Sequence, residues 1–237
     1  MRRDPLALHP IIKPMPTIKL TSADNFVLDA YTAAPTASTN MGLVVIQEIF
    51  GVNPHIRSVV DRFAGEGFRS IAPALFDRVR PGIELPYNAD TMKEGFRYVT
   101  ALDQKKTVAD VDAAVTWLRA QPGITKIGVV GFCWGGTLAW LANTRLTVDA
   151  TVSYYGGGVQ FYLEEQPKAP AIFHFGEHDD HIKSDVWDLI RTTYPQFPVY
   201  TYNAGHGFNC DARDSYSPEA AALAMQRTLA FLRDNLK

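Results

Sequence analysis

Ile127-Gly128-Val129-Val130-Gly131-Phe132-Cys133-Trp134-Gly135-Gly136-Thr137-Leu138-Ala139-Trp140-Leu141-Ala142 is the stretch that decides the fold. Ile127 to Val130 are a short apolar run bounded by turn signals, which reads as a buried strand, and Thr137 to Ala142 read as an apolar helix. A strand that turns at once into a helix pushes one side chain into a strained, exposed position. Glycines at 131 and 135 let the two backbones approach without Cβ clashes. Cys133 stands at that position, so the stretch has the form of a nucleophile elbow carrying a thiol. A free cysteine is also a common small core residue, and the choice between the two readings rests on partners elsewhere in the chain.

Working outward, Leu43-Val44-Val45-Ile46 is a continuous apolar strand of the kind buried on both faces of a parallel sheet. After it, Asn53 caps a helix with Pro54 at the first position, and Ile56, Val59, Val60 and Phe63 fall at i, i+3, i+4 and i+7 on one face. Ser70 to Ala72 give a further strand, Phe76 to Asn88 a polar segment, and Asp103 to Gln121 a helix that buries Val108, Val111, Val115 and Leu118. Past the elbow, strands at Ala150–Tyr154, Ala171–Phe175 and Val199–Tyr202 alternate with helices around Val186–Ile190 and from Pro218 onward. Upstream, Thr17–Leu20 and Phe26–Tyr31 suggest an antiparallel hairpin at one sheet edge, preceded by an extended arm over residues 1–16. The alternation predicts an α/β fold over 1–237 as one domain, with a mostly parallel, doubly wound sheet flanked by helices.

Composition narrows the partner. The 237 residues are 46% hydrophobic with a net charge of -2, enough apolar residues for a sizeable core and no basic stripe for nucleic acid. No polybasic cluster recommends a membrane surface, no apolar run approaches the roughly 18 residues of a spanning helix, and Met1-Arg2-Arg3 leads into Asp4 and Pro5 without a signal core. The expectations are a cytoplasmic chain, a small-molecule partner, no cofactor and, for the oligomeric state, a monomer. Cys133 and Cys210 make no disulfide framework.

In open α/β sheets reacting groups gather beyond the carboxyl ends of the strands. Four such loops carry polar residues: Glu48, Cys133, the pair Asp179 and Asp180, and His206. Nucleophile, acid and histidine follow in the chain order of α/β-hydrolase triads. A thiol of pKa about 8.5 is only partly ionised at neutral pH, so His206 can take its proton and later protonate the leaving group. A carboxylate would then fix the imidazole tautomer. Asp179, third after Gly176, is preferred to Asp180, which reads as a turn or cap residue. His178, Asp179, Asp180 and His181 could instead be read as a metal cluster, but no supporting ligand motif accompanies them, and no metal is expected. His174 in its apolar strand reads as a core histidine, and His9 and His55 as surface or loop residues. The backbone N–H groups of Trp134 and Ile49 are the expected oxyanion hole.

At this point the residues resemble the dienelactone hydrolase family, the carboxymethylenebutenolidases. The matching pieces are Gln47 to Asn53, Ala72 to Arg78, Gly131 to Gly136, Tyr154 to Gly156, Gly176 to Asp179 and Ala204 to His206. The resemblance implies an α/β-hydrolase fold and a Cys133, His206, Asp179 triad that opens an unsaturated lactone by way of an acyl-enzyme. It implies that Glu48 holds the resting thiol protonated and gives way when substrate binds, and that Arg78 holds a substrate carboxylate. A second carboxylate-binding arginine of the family, four residues after the histidine, is here replaced by Cys210. Arg80 or Arg213 could compensate. A carboxylesterase or thioesterase of broader specificity is an alternative, and a redox-sensing binding protein using Cys133 and Cys210 is one of another class.

Overall fold

The structure, a computed structural model, describes residues 13–14 and 17–237. The expected arm over 1–16 therefore lies almost wholly outside the described residues, as does His9. Within them the chain forms β1 (Lys13–Pro14), β2 (Ile18–Thr21), β3 (Val27–Ala34), β4 (Met41–Ile46), β5 (Arg69–Pro73), β6 (Lys126–Phe132), β7 (Ala150–Tyr154), β8 (Ala171–Gly176) and β9 (Val199–Tyr202). The sheet order is β1-β3-β5-β4-β6-β7-β8-β9, with β2 also paired to β3. From β5 to β9 every pairing is parallel. The β2–β3 hairpin is antiparallel, and β3 joins the parallel body antiparallel to β5.

Helices cover both faces. They are α1 (Pro54–Gly65), α2 (Ala89–Ala101), α3 (Gln104–Arg119), α4 (Trp134–Arg145), α5 (Ser184–Thr193) and α6 (Pro218–Leu236). Because side chains alternate across a strand, β4 sends Leu43 and Val45 into the layer holding Ile56, Val60, Ile190 and Leu232, and Val44 and Ile46 into the layer holding Val111, Val115 and Leu141. This two-sided burial explains why β4 is an unbroken apolar run. Each such side chain removed from water contributes about 1.5–3 kcal/mol.

α1 starts where the sequence indicates: Asn53 Oδ1 accepts from the Ile56 amide at 3.1 Å, and Pro54 needs no amide partner. The helix α2, by contrast, was not expected. Met92, Phe96 and Val99 stand at i, i+4 and i+7, but only Gly95 among its residues is buried, and Met92 and Val99 pack on a small cluster away from the sheet. A second signal is the capping box, in which Asn88 Oδ1 accepts from the Thr91 amide and Thr91 Oγ1 accepts from the Asn88 amide. Ahead of α2, Leu75–Arg78 form a 3₁₀ turn, and Gly51 bridges to Glu84. A small apolar cluster of Ile49, Phe50, Phe76, Ile83 and Leu85, with Val99 and Trp134 against it, ties α2 to the loop after β4.

Candidate active site

The turn between β6 and α4 places Cys133 at φ 55° and ψ -118°, a sparsely populated conformation of the kind that costs about 1–3 kcal/mol. The surrounding backbone imposes it. The Cys133 amide donates to the Tyr154 carbonyl at 2.9 Å, and the Gly136 amide donates to the Cys133 carbonyl at 2.9 Å. A Cβ at Gly131 would lie 1.8 Å from the Gly135 carbonyl oxygen, and one at Gly135 would lie 2.5 Å from the carbonyl oxygens of Ile46 and Gln47. Strand and helix can meet at this angle only with glycine at both places.

Loops after β8 and β9 bring the other two residues to Cys133. His206 Nε2 lies 3.1 Å from the Cys133 sulfur, and His206 Nδ1 lies 2.7 Å from Asp179 Oδ2. The other oxygen of Asp179 accepts from the amides of His181 at 2.8 Å and Ile182 at 3.1 Å, so both oxygens are held and the carboxylate is buried. Burial would lift the Asp179 pKa, but His206 and the two amides hold it below the usual carboxylate value. For His206, burial alone would lower the pKa; the Cys133 sulfur and Asp179 outweigh it and push it up to about 10. Asp180 is exposed and 3.9 Å from Lys183.

The amides of Ile49 and Trp134 donate to no described residue, and both residues line one cavity with Cys133 and His206. Trp134 is the first residue of α4, where an amide lacks an intrahelical partner and the helix dipole favours negative charge. The Ile49 loop is set by α2. A Cβ on Gly95 would lie 2.0 Å from the Ile49 carbonyl oxygen, so the helix seats directly on that peptide. Gly95→Ala is expected to displace the loop and lower kcat by about 10-fold or more, against about 10²–10³ for complete loss of one oxyanion donor, while far-ultraviolet circular dichroism stays unchanged. Steady-state kinetics on a p-nitrophenyl ester check it.

Glu48 is fully buried beside the cavity. Its carboxylate accepts from the Tyr87 hydroxyl at 2.8 Å and lies 3.3 Å from Arg213 Nη1. The expected contact of Glu48 with the resting thiol is not among these bonds, and the sulfur instead meets His206. Arg213 packs over Gly207 and lies 5.8 Å from the ring centres of Phe50 and Tyr87.

Arg78 is not at the cavity, which corrects its expected role as a substrate anchor. Its Nε and Nη2 donate to Asp110 at 2.6 and 2.7 Å, its Nη1 and Nη2 to Asp24 at 2.9 Å, and it lies 4.4 Å over the Phe26 ring. Two carboxylates already occupy the guanidinium fork, so Arg78 clamps the 3₁₀ turn to α3 and the β2–β3 turn. Arg80 reaches the Tyr98 hydroxyl at 3.4 Å. His55 is likewise corrected from a surface residue: it is buried in α1 with Nδ1 2.8 Å from Asp211. His174 is a core histidine, 2.8 Å from the Tyr202 hydroxyl and 3.1 Å from Thr228, and burial depresses its pKa to about 3.

One cluster has the donor types of a metal site. Glu48, His55 and Cys210 bring a carboxylate oxygen, an imidazole nitrogen and a sulfur within 4.8 Å of one another. Arg213 already pairs with Glu48 there at 3.3 Å, which opposes a bound cation, and burial pushes the Cys210 thiol up to about 12. Cys133 and Cys210 are both free thiols. Three neighbours were missed in the sequence. Tyr155 has a buried hydroxyl with no partner among the described residues and a ring 5.1 Å from His206; His181 stands edge-on to His206 at 5.4 Å; Tyr87 holds Glu48. Tyr155, in the strand-end run Tyr154-Tyr155-Gly156, was the one with a legible position.

A profile of the dienelactone hydrolase family matches residues 28–236. The chain belongs to that family. A carboxymethylenebutenolidase of Pseudomonas putida is 34% identical over 223 residues, covering 91% of this chain and 94% of that one. Carboxymethylenebutenolidase 1 of Cupriavidus pinatubonensis is 30% identical over 222 residues, covering 91% and 95%. The crystal structure of a Klebsiella pneumoniae protein provisionally named a dienelactone hydrolase superposes with a TM-score of 0.82 at 28% identity, covering 94% and 98%. The chain is therefore a dienelactone hydrolase-like hydrolase with the α/β-hydrolase fold, of a family that acts on small esters or lactones. No helix among the described residues is long and apolar enough to cross a membrane.

Proposed function

We propose that the chain hydrolyses its ester or lactone through an acyl-enzyme on Cys133, with His206 as acid and base and Asp179 as the residue that orients His206. The observation that carries this reading is the continuous contact chain from the Cys133 sulfur through both ring nitrogens of His206 to Asp179. The imidazolium, with its pKa near 10, pairs with the thiolate. The thiolate attacks the carbonyl carbon, and the oxyanion that forms is taken up by the amides of Ile49 and Trp134. Collapse breaks the carbon–oxygen bond to the leaving group, which takes the proton from His206 Nε2. Neutral His206 then removes a proton from water, the hydroxide attacks the thioester, and the carboxylic acid leaves as Cys133 regains its starting state. Each proton removed is returned within one cycle.

Glu48 and Arg213 form the second part of the proposal. With its carboxylate on Arg213, Glu48 leaves the sulfur to His206, the arrangement needed for attack. Moved toward the sulfur, the carboxylate would disfavour the thiolate by like-charge repulsion. The acyl-enzyme is the direct test: brief incubation with p-nitrophenyl acetate, acid quench and peptide mass spectrometry is expected to place an acetyl group on Cys133. An acetyl group on Cys210 or on no residue, under conditions of active turnover, overturns the reading.

A further inference from the structure

The cavity that begins at Cys133 encloses about 610 Å³, within the range of pockets that bury a small organic ligand. Apolar walls come from three places: α2 and the residue after it give Phe96, Val99 and Leu102; α4 gives Trp134 and Leu138; the 3₁₀ turn at Gly157–Tyr162 gives Phe161 and Tyr162. No Asp, Glu, Lys or Arg among the described residues lines it. Its polar groups are neutral ones such as Gln104, Gln160 and Thr137, together with the two histidines at the reacting end. At its mouth two large aromatic side chains stand out into solvent, Phe161 at 76% and Phe96 at 51% exposure.

Three of the arginines that could answer a substrate carboxylate are held by carboxylates; Arg80 meets the Tyr98 hydroxyl and, like them, is not in the cavity lining. Arg78 is held by Asp24 and Asp110, Arg213 by Glu48 beside two aromatic rings, and Arg145 by Glu165 at 2.6 Å. None of the three lines the cavity. A carboxylate carried into these walls would lose its hydration without gaining a partner, whereas an apolar group gains by leaving water. Exposed aromatics at the mouth of a functional cavity suit an apolar ligand that covers them.

From this we infer that the enzyme takes uncharged esters or lactones bearing an apolar group of several carbons, and selects against substrates that carry a carboxylate. The inference rests on Cys133 as the nucleophile, and the test separates the two. Two pairs of probes vary one charge at nearly constant shape: p-nitrophenyl hexanoate against the p-nitrophenyl half-ester of adipic acid, and phenyl butyrate against 4-carboxyphenyl butyrate. In whichever half of the ester the cavity holds, the charged member is expected to lose at least about tenfold in kcat/KM, since a tenfold change is what about 1.4 kcal/mol of unpaired desolvation gives. Phe161→Ala is expected to lower kcat/KM for hexanoate severalfold more than for p-nitrophenyl acetate. Gln160→Arg is expected to recover activity on the charged members.

Charged members turned over as well as, or better than, their neutral counterparts in both pairs would overturn the inference while leaving the nucleophile intact. If Cys133→Ala retained turnover of every probe, the reading of Cys133 would fall, whatever the substrate preference. Equal turnover of acetate and hexanoate, unaffected by Phe161→Ala, would also remove the apolar subsite.

Discussion

Cys133→Ala is expected to lower kcat/KM for p-nitrophenyl acetate by about 10⁴-fold or more, with KM little changed and the fold intact. Alanine is smaller than cysteine and tolerates the site no worse in volume, but it shares the strained φ of 55°, so the variant keeps the elbow and loses only the sulfur. Without the thiolate no acyl-enzyme forms, and what remains is the rate supplied by the oxyanion amides and bound water. Cys133→Ser is the informative companion. A serine hydroxyl, far less acidic than a thiol, cannot form an ion pair with His206, and activity is expected to fall by about 10²-fold or more rather than survive as a conservative change. Thermal unfolding of both variants within a few degrees of the parent separates chemistry from folding.

Asp179→Asn is expected to cost on the order of 10³–10⁴ in kcat and to move the pH profile. In the parent, His206 stays protonated until about pH 10, so protonation of the leaving group should weaken only as pH rises through that value. Asparagine can still accept from the His181 and Ile182 amides, but it removes the charge 2.7 Å from Nδ1. The His206 pKa then drops, and the alkaline fall of kcat/KM moves to lower pH. Stability must follow the same sign. A histidine raised from an unfolded value of about 6.5 contributes stability that is fully present below that pH and is lost as pH rises toward 10. The depressed Asp179 contributes above its unfolded value and loses its contribution as pH falls through its folded one. Urea midpoints are therefore expected to decline between pH 7 and 10 in the parent and to decline less in the variant. Equal slopes would show that the Asp179–His206 pair is not the titrating unit.

Much of this site was readable because its requirements are local. The elbow needs glycine at 131 and 135, since the strand and helix pass within 2.5 Å of where a Cβ would stand, and a local steric demand leaves a local mark. The parallel core strands were readable for the same kind of reason: β4 is buried on both faces and so is apolar at every position from Leu43 to Ile46. Asp179 could be preferred to Asp180 by position alone, and the structure puts Asp180 in solvent. α2 escaped because its apolar stripe is short and packs on a small cluster over the loop after β4, not on the sheet. Its closest approach is made by Gly95 to the Ile49 peptide, and a missing side chain leaves no mark in the apolar pattern.

Arginine placement was not readable at all. Arg78, Arg80, Arg145 and Arg213 are alike in sequence, and each is long enough to reach several sites. Which one meets which carboxylate depends on contacts made across 32 residues for Arg78 and Asp110, and 165 for Arg213 and Glu48. The sequence by itself determined the sheet, the elbow and the order of nucleophile, acid and histidine, because backbone sterics and burial constrain the residue at each position. Only the tertiary structure decided where the charges went. It committed the arginines to Asp24, Asp110, Glu48 and Glu165 and left the cavity at Cys133 lined by uncharged side chains and histidines, because ion pairs are chosen by distance in space and not by distance along the chain.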